Sequence, residues 1–199
     1  MNRMQNRNRN NTRNMQRNIA INHEKRSAIN KNFRFLWHQQ CVWTRSFIIS
    51  TSHNLNDLQF VTTRFLKIPH DFSTSISEFY GEAKAENFEK LFTDHLMICA
   101  KLVNSIKSKN SKQILEDRDS WKQNALQISK FLNSINPQYW NAEEWFNLLS
   151  QYIILIENQA TERLKGNYSS DVSIYSEIEL WTSKMSDLMS SGIIKQFKI

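Results

Sequence analysis

A histidine at the centre of an apolar helical stripe is the residue of this chain whose type and position best suit chemistry. The stripe lies in FEKLFTDHLMICAKLVNSI, residues 88–106, and it repeats at alternating steps of four and three, the spacing of one helix face. Its members are Phe88, Phe92, His95, Cys99, Leu102 and Ile106. A buried imidazole is either a hydrogen-bonded core group or a metal ligand. The groups that His95 meets on the neighbouring helices decide between these roles.

Polar residues also fall on the apolar faces of other predicted helices. At about 100° per residue, Gln40, Asn124 and Glu157 lie within the stripes of their helices, and Glu179 lies at the edge of its own. Ferritin-like bundles hold metal with carboxylates and histidines from facing helices, and this ligand mixture suits iron, manganese or zinc. The pattern therefore predicts a metal site in the bundle core. Its ligands would be His95, Glu157 and Glu179, with Gln40, Asn124 and Cys99 around them.

A metal-free core is the alternative for the same residues. Di-iron bundles use Glu-x-x-His on two helices, which supplies two ligands from one helical turn, and this motif is absent from the sequence. His95 is then expected to form a core hydrogen bond with Gln40 or Glu157, and Cys99 to act as a small buried hydrophobe. The sequence also lacks a glycine-rich phosphate loop, a Cys-x-x-Cys pair and a nucleophile elbow, so it identifies no catalytic residue.

The elements that must position these residues are helices. Glycine and proline are scarce, at three and two residues, which disfavours the many tight turns of an all-β fold. Apolar periodicity predicts five long helices and a broken short one in an all-α, antiparallel, ferritin-like bundle. The predicted long helices span about 30–53, 82–108, 111–136, 141–165 and 170–191, and the short pieces span about 58–68 and 72–80.

Individual residues predict where these helices begin and end. Asp57 is expected to cap the first short helix and Pro69 to end it. Asn141 with Glu144 resembles a capping box and predicts the start of another helix. Gly192 is expected to stop the last helix.

The positive charge of the chain is concentrated in residues 1–27. This segment holds seven cations against Glu24, or +6, whereas the whole chain has a net charge of +7, so the other residues contribute about +1. Its composition is rich in Asn and Arg and poor in apolar residues, which predicts a disordered tail before a single bundle domain of residues 28–199. The cations are Arg3, Arg7, Arg9, Arg13, Arg17, Lys25 and Arg26.

Three interpretations of this tail remain open. It is a solvated low-complexity segment, a mitochondrial presequence without the usual apolar face, or an arm that binds nucleic acid or an acidic partner. The arm would bind phosphates through spaced arginines and would need no fixed structure. Its contact residues would be Arg3, Arg7, Arg9, Arg13 and Arg17.

Composition also indicates the environment of the protein. The chain has 199 residues, 40% of them hydrophobic, which is enough for one domain with a substantial core. Cys41 and Cys99 lie within apolar helical patterns, so we expect free buried thiols in a reducing, intracellular compartment. No apolar run reaches the roughly 20 residues of a membrane span, and no secretory signal is visible. Self-association into a homo-oligomer is an open alternative.

Four segments resemble a group of small bacterial helical proteins with ferritin-like bundles. They are LWHQQCVWTRSFIIST, FYGEAKAENFEKLFTDHL, FLNSINPQYWNAEEW and SGIIKQF, and together they span roughly residues 35–197. The resemblance implies acidic and histidine residues that face inward. The first helix of that group reads Leu-Trp-Glu-Gln-His, where this chain has Leu36, Trp37, His38, Gln39 and Gln40. Gln40 therefore replaces the inward histidine, and Tyr152 replaces another, which leaves His95 and Glu157.

Some members of that group are labelled acetylglutamate kinase. An amino-acid kinase needs an α/β sheet with glycine-rich phosphate loops, which three scattered glycines cannot build. We therefore expect a ferritin-like bundle protein with a residual metal site in its core. The alternative is a non-catalytic structural or binding module that uses its basic N-terminal arm.

Overall fold

A computed structural model describes the backbone of residues 2–199 and the side chains of residues 21–199. Its described backbone is all-helical. The helices are α1 (Asn2–His53), α2 (Leu58–Phe65), α3 (Ile68–Tyr80), α4 (Glu82–Lys107), α5 (Ser111–Ile135), α6 (Ala142–Lys165) and α7 (Tyr168–Gln196). The all-α prediction is therefore confirmed.

The long helices pack in chain order from α4 to α7, and α1 closes the bundle against α7. Pairs of contacts show that neighbouring helices run in opposite directions. Between α4 and α5, Ser105 bonds Asp117 close to the connecting turn, whereas His95 bonds Asn124 farther along both helices. Between α1 and α7, Arg34 bonds Asp187 and Arg45 bonds Asp171. The helices α2 and α3 lie against α1 and α4.

Aromatic side chains fill the centre of this bundle. The Trp37 ring meets Phe72 and Phe92 edge-on, with ring centroids 5.1 and 6.0 Å apart, and it stacks on Trp145. Such edge-to-face contacts add to the apolar area that each ring buries. Trp37, Phe72, Phe92 and Trp145 belong to four helices, so this cluster fixes α1, α3, α4 and α6 around the interior that contains His95.

Two helix ends differ from the sequence predictions. Helix α2 ends at Phe65, and Pro69 lies in the first turn of α3, where a missing backbone N–H costs no helical hydrogen bond. Helix α7 continues through Gly192 to Gln196 instead of stopping at the glycine. The glycine is buried at this position because the indole of Trp140 lies against it.

One predicted cap is present and another is absent. The Asn141 side chain accepts hydrogen bonds from the backbone N–H groups of Glu143 and Glu144, as the capping pattern predicts. Asp57 makes no side-chain cap bond, because its own backbone is already helical, with φ −85° and ψ −6°. A capping side chain needs an extended backbone to reach back to the first N–H groups, so the Asp57 prediction is wrong.

The N-terminal segment is helical where the composition predicts a disordered tail. Helix α1 begins at Asn2, and within the described side chains Ile29 is the first that is buried. Side chains 21–26 are all exposed, so this part of the segment adds nothing to the core. The arginines at positions 3–17 lie outside the described side chains. None of the helices in the described part of the chain combines the length and the apolarity needed to cross a membrane.

Candidate functional site

His95 is buried between α4 and α5, with 1% of its surface exposed. Its Nδ1 lies 2.7 Å from Oδ1 of Asn124, whose own amide group donates to the Leu91 carbonyl at 3.0 Å. That second bond orients the Asn124 amide so that its oxygen, an acceptor, faces the imidazole. The His95 Nδ1 therefore bears the hydrogen, and Nε2 holds a lone pair that has no partner in the described structure.

The surroundings of His95 keep it uncharged. The ring stacks on Phe92 at 5.8 Å and packs against Trp121 at 5.1 Å. Burial lowers the pKa of His95 to about 4, against a smaller opposing effect of the hydrogen bond to Asn124. The expected core bond to Gln40 or Glu157 is thus replaced by a bond to Asn124. His95 is a neutral histidine with one free, buried lone pair.

This shifted pKa predicts a pH-dependent loss of stability. The unfolded His95 accepts a proton near pH 6.5, but the folded one does so only near pH 4, so protons favour the unfolded state within that window. The free energy of unfolding should fall by about 1.4 kcal/mol per pH unit through this effect as the pH drops from about 6.5 to about 4. Urea unfolding of the wild type and of His95→Gln, each at both ends of the window, measures it.

A matched control for that measurement is His38→Gln, because His38 is exposed on α1. The His38 variant should keep the wild-type pH dependence, whereas His95→Gln should flatten it. Equal slopes in the wild type and the His95 variant would show that folding does not lower the pKa of His95.

The other two predicted metal ligands have different surroundings. Glu157 on α6 is paired through both carboxylate oxygens with the guanidinium of Arg118 on α5, with Nε 2.7 Å from Oε2. Glu179 is half-buried on α7, in a groove that Arg34 and His38 of α1 also line. Among the described residues, no group of three or more His, Cys, Asp or Glu side chains is placed to hold a metal ion. The geometry gives the predicted ligand set no support.

Gln40 belongs to a buried hydrogen-bonded group with Tyr152 and Thr44. Its amide nitrogen lies 3.2 Å from the Tyr152 hydroxyl and 3.4 Å from that of Thr44, and its oxygen has no described partner. Burial raises the pKa of Cys41 to about 12 and raises the pKa values of Cys99 and Tyr152 as well. Burial keeps both thiols protonated, and Cys99 packs as a small buried hydrophobe.

The most strongly bonded buried carboxylate is Asp171, in the first turn of α7, with 1% of its surface exposed. The guanidinium of Arg45 on α1 donates to both carboxylate oxygens of Asp171, at 2.6 and 3.1 Å. Arg163 and Gln159 of α6 donate to the same carboxylate, at 3.2 and 3.1 Å. Burial alone would raise the pKa of Asp171. The charge and hydrogen bonds of Arg45, helped by Gln159 and Arg163, hold that pKa below its ordinary value instead.

Sequence reasoning missed this group, although a signal for it was present. Asp171 continues the stripe of α7 one step toward its start, since it lies four residues before Tyr175 and seven before Ile178. Gln159 similarly lies three residues after Ile156 on the stripe of α6. Extending each stripe to the ends of its helix would have identified both as buried polar residues.

These contacts describe a bundle whose interior polar groups bond mainly to one another. The interior neutral groups described above bond one another, and Asp171 and Glu157 each pair with a guanidinium. Asp117 is bonded instead to the uncharged side chains of Ser105 and Gln113. These bonds satisfy polar groups at the helix interfaces and stabilise the packing there. Comparison of the chain with protein-family models, with curated proteins and with solved structures finds no match.

Proposed function

We propose that this protein is a non-catalytic binding module that attaches to the phosphate backbone of nucleic acid through the N-terminal part of α1. One observation carries the proposal. Helix α1 begins at Asn2, its first buried side chain within the described residues is Ile29, and residues 1–27 hold +6 of the chain's net charge of +7. This helix segment carries many cations and contributes no described side chain to the core. It is therefore better suited to bind a negatively charged partner than to stabilise the fold.

The spacing of the arginines fits this use. In a helix that turns about 100° per residue, positions 3, 7, 9, 13 and 17 fall within a sector of about 160°. Positions 3 and 17 are about 21 Å apart along such a helix, at 1.5 Å per residue. A helix with its cations in one sector can follow a phosphate backbone without reading base sequence. The nearly neutral remainder of the chain would then act as the folded body.

Replacing Arg3, Arg7, Arg9, Arg13 and Arg17 together with glutamine should abolish binding to a labelled DNA duplex. Each phosphate contact releases counterions, so wild-type affinity should fall steeply with salt, and the five arginines should contribute about −4 to −5 to the slope of log K against log salt. Fluorescence anisotropy between about 50 and 200 mM salt measures both quantities.

Two controls make that experiment decisive. The same five positions changed to lysine keep the charge, so that variant should still bind and should retain the salt slope of the wild type. Polyglutamate replaces the duplex in a parallel titration. Binding of polyglutamate without binding of nucleic acid would assign the arm to an acidic protein partner and would contradict the proposal.

A residual metal site in a ferritin-like bundle is the second candidate, and one observation favours it. The Asn124 carbonyl fixes the His95 hydrogen on Nδ1, which is how proteins often orient a histidine for ligation through Nε2. Iron, manganese or zinc should then raise the melting temperature of the wild type, and His95→Gln should remove that rise. A melting temperature that none of the three metals changes would exclude this candidate.

A further inference from the structure

A groove with three cationic side chains lies where α1 enters the bundle. It has a volume of about 500 Å³ and lies between α1 and the end of α7. None of the residues that form it is acidic. They are Arg26, Asn30, Ser191, Ile194, Lys195 and Lys198, and this set is called the cationic groove below.

The concentration of charge there is unusual for this protein. Residues 28–199 have a net charge of only about +1, since +6 of the total +7 belongs to residues 1–27. Lys195 and Lys198 nevertheless lie in one groove with Arg26, and all three side chains are exposed. The polar side chains of Asn30 and Ser191 lie among them as further hydrogen-bonding groups. Such a surface attracts an anion with several oxygens.

The groove is also held in place by packing. Gln196 donates to the Ile135 carbonyl at 3.0 Å and accepts from the Tyr80 hydroxyl at 2.6 Å. The ring of Phe197 packs on Phe79 and Tyr80, with centroids 5.6 and 5.5 Å away. These contacts hold the backbone of the segment that carries Lys195 and Lys198 against the bundle, so the two ammonium groups have a fixed attachment point.

The groove follows the basic part of α1 along the helix axis. Arg26 belongs to both, because it lies on α1 and its Nε donates to the main-chain oxygen of Ile199. Along the helix axis, Arg17 and Arg26 are about 14 Å apart, but at about 100° per residue they lie on opposite sides of the helix. A single strand bound along the arginine sector would therefore cross to the bundle side of α1 before it reaches the groove, a path of a few nucleotides.

We propose that the cationic groove binds phosphodiester groups of the same nucleic acid that α1 binds, so that the bound strand extends from α1 onto the bundle. This inference rests on the proposed function. The Tyr139 ring lies 5.8 Å from the Lys195 ammonium group, which places an aromatic face beside the phosphates. The contact is with the backbone and is independent of base sequence.

The test compares full-length variants in the same anisotropy titration, with a labelled single-stranded oligonucleotide that can follow both sides of α1. Arg26→Gln, Lys195→Gln and Lys198→Gln together should weaken binding at least about tenfold at low salt and should reduce the salt slope by about 2. The control variant, Lys101→Gln with Lys112→Gln and Lys130→Gln, removes the same charge from exposed positions on α4 and α5. It should change the slope by less than one.

The possible outcomes distinguish a failure of the groove inference from a failure of the proposed function. If the wild type binds and both triple variants lose equal affinity, or neither loses any, the groove inference is overturned and the proposed function stands. A wild type that binds no nucleic acid overturns both. The charge-reversal pair Lys195→Glu and Lys198→Glu, which keeps the Arg26 bond, should lose at least as much affinity as the groove triple variant. Displacement of the oligonucleotide by inorganic phosphate at matched ionic strength would assign the groove to free phosphate and contradict the inference.

Discussion

Replacing Asp171 with alanine is expected to lower the free energy of unfolding by about 3 kcal/mol, the lower end of the cost of breaking a buried ion pair. The carboxylate is 1% exposed and accepts bonds from Arg45, Arg163 and Gln159. Its loss leaves two guanidinium groups close together without a counter-charge. Their side chains are 19% and 18% exposed, so water compensates for part of this cost and the lower end applies.

The same helix offers a matched control. Asp187 pairs with Arg34 across the same two helices, but the two side chains are 57% and 64% exposed. An exposed pair of this kind contributes at most about 1 kcal/mol, so Asp187→Ala should change stability by less than that. Urea unfolding of both variants compares the two ion pairs directly. Equal losses would show that burial of Asp171 does not determine its contribution.

The pH dependence of this loss follows from the lowered pKa. Asp171 is charged in both states above about pH 4, so its full contribution is present there and is lost as the pH falls through the lower pKa of the folded state. The difference in stability between the wild type and Asp171→Ala should therefore shrink below about pH 4. A difference that grows in acid would mean that the folded pKa is raised.

Periodicity predicts most of the helices because each long one buries one stripe of apolar residues. The stripe that contains His95 is buried in α4 at Phe88, Phe92, Cys99 and Leu102, and its last member, Ile106, is half-buried at the end of the helix. Sequence position within a stripe also predicts that Gln40 and Asn124 are buried. It does not give their partners, since a partner depends on how far one helix slides along the next. Asn124 therefore meets His95, whereas Glu157 meets Arg118.

The errors at Pro69 and Gly192 have a common physical origin. Both residues are helix breakers by intrinsic preference, and tertiary context decides whether that preference matters. Pro69 lies in a first turn, where its missing N–H has no helical partner to lose. Gly192 lies opposite a bulky side chain from a different part of the chain. Its role is invisible in local sequence because Trp140 is 52 residues away in the chain.

Replacing Gly192 with alanine should lower the free energy of unfolding by about 2–3 kcal/mol, although the same change in an open helix would stabilise it by about 1 kcal/mol. A methyl group built on Gly192 would lie 2.0 Å from Nε1 and 2.5 Å from Cδ1 of Trp140. The indole cannot move aside easily. It is fully buried, donates to the Leu188 carbonyl at 3.1 Å and packs edge-on against Trp145.

A double-mutant cycle separates this clash from other effects of the substitution. Phenylalanine at position 140 lacks the five-membered ring that the new methyl group would meet. Gly192→Ala should therefore cost less than about 1 kcal/mol in a Trp140→Phe background, although Trp140→Phe is itself destabilising. Ser183→Ala, at an exposed position of α7, is the control for the helix itself and should change stability by about 0.5 kcal/mol or less. If Gly192→Ala costs the same in both backgrounds, the indole is not the reason that this helix requires a glycine.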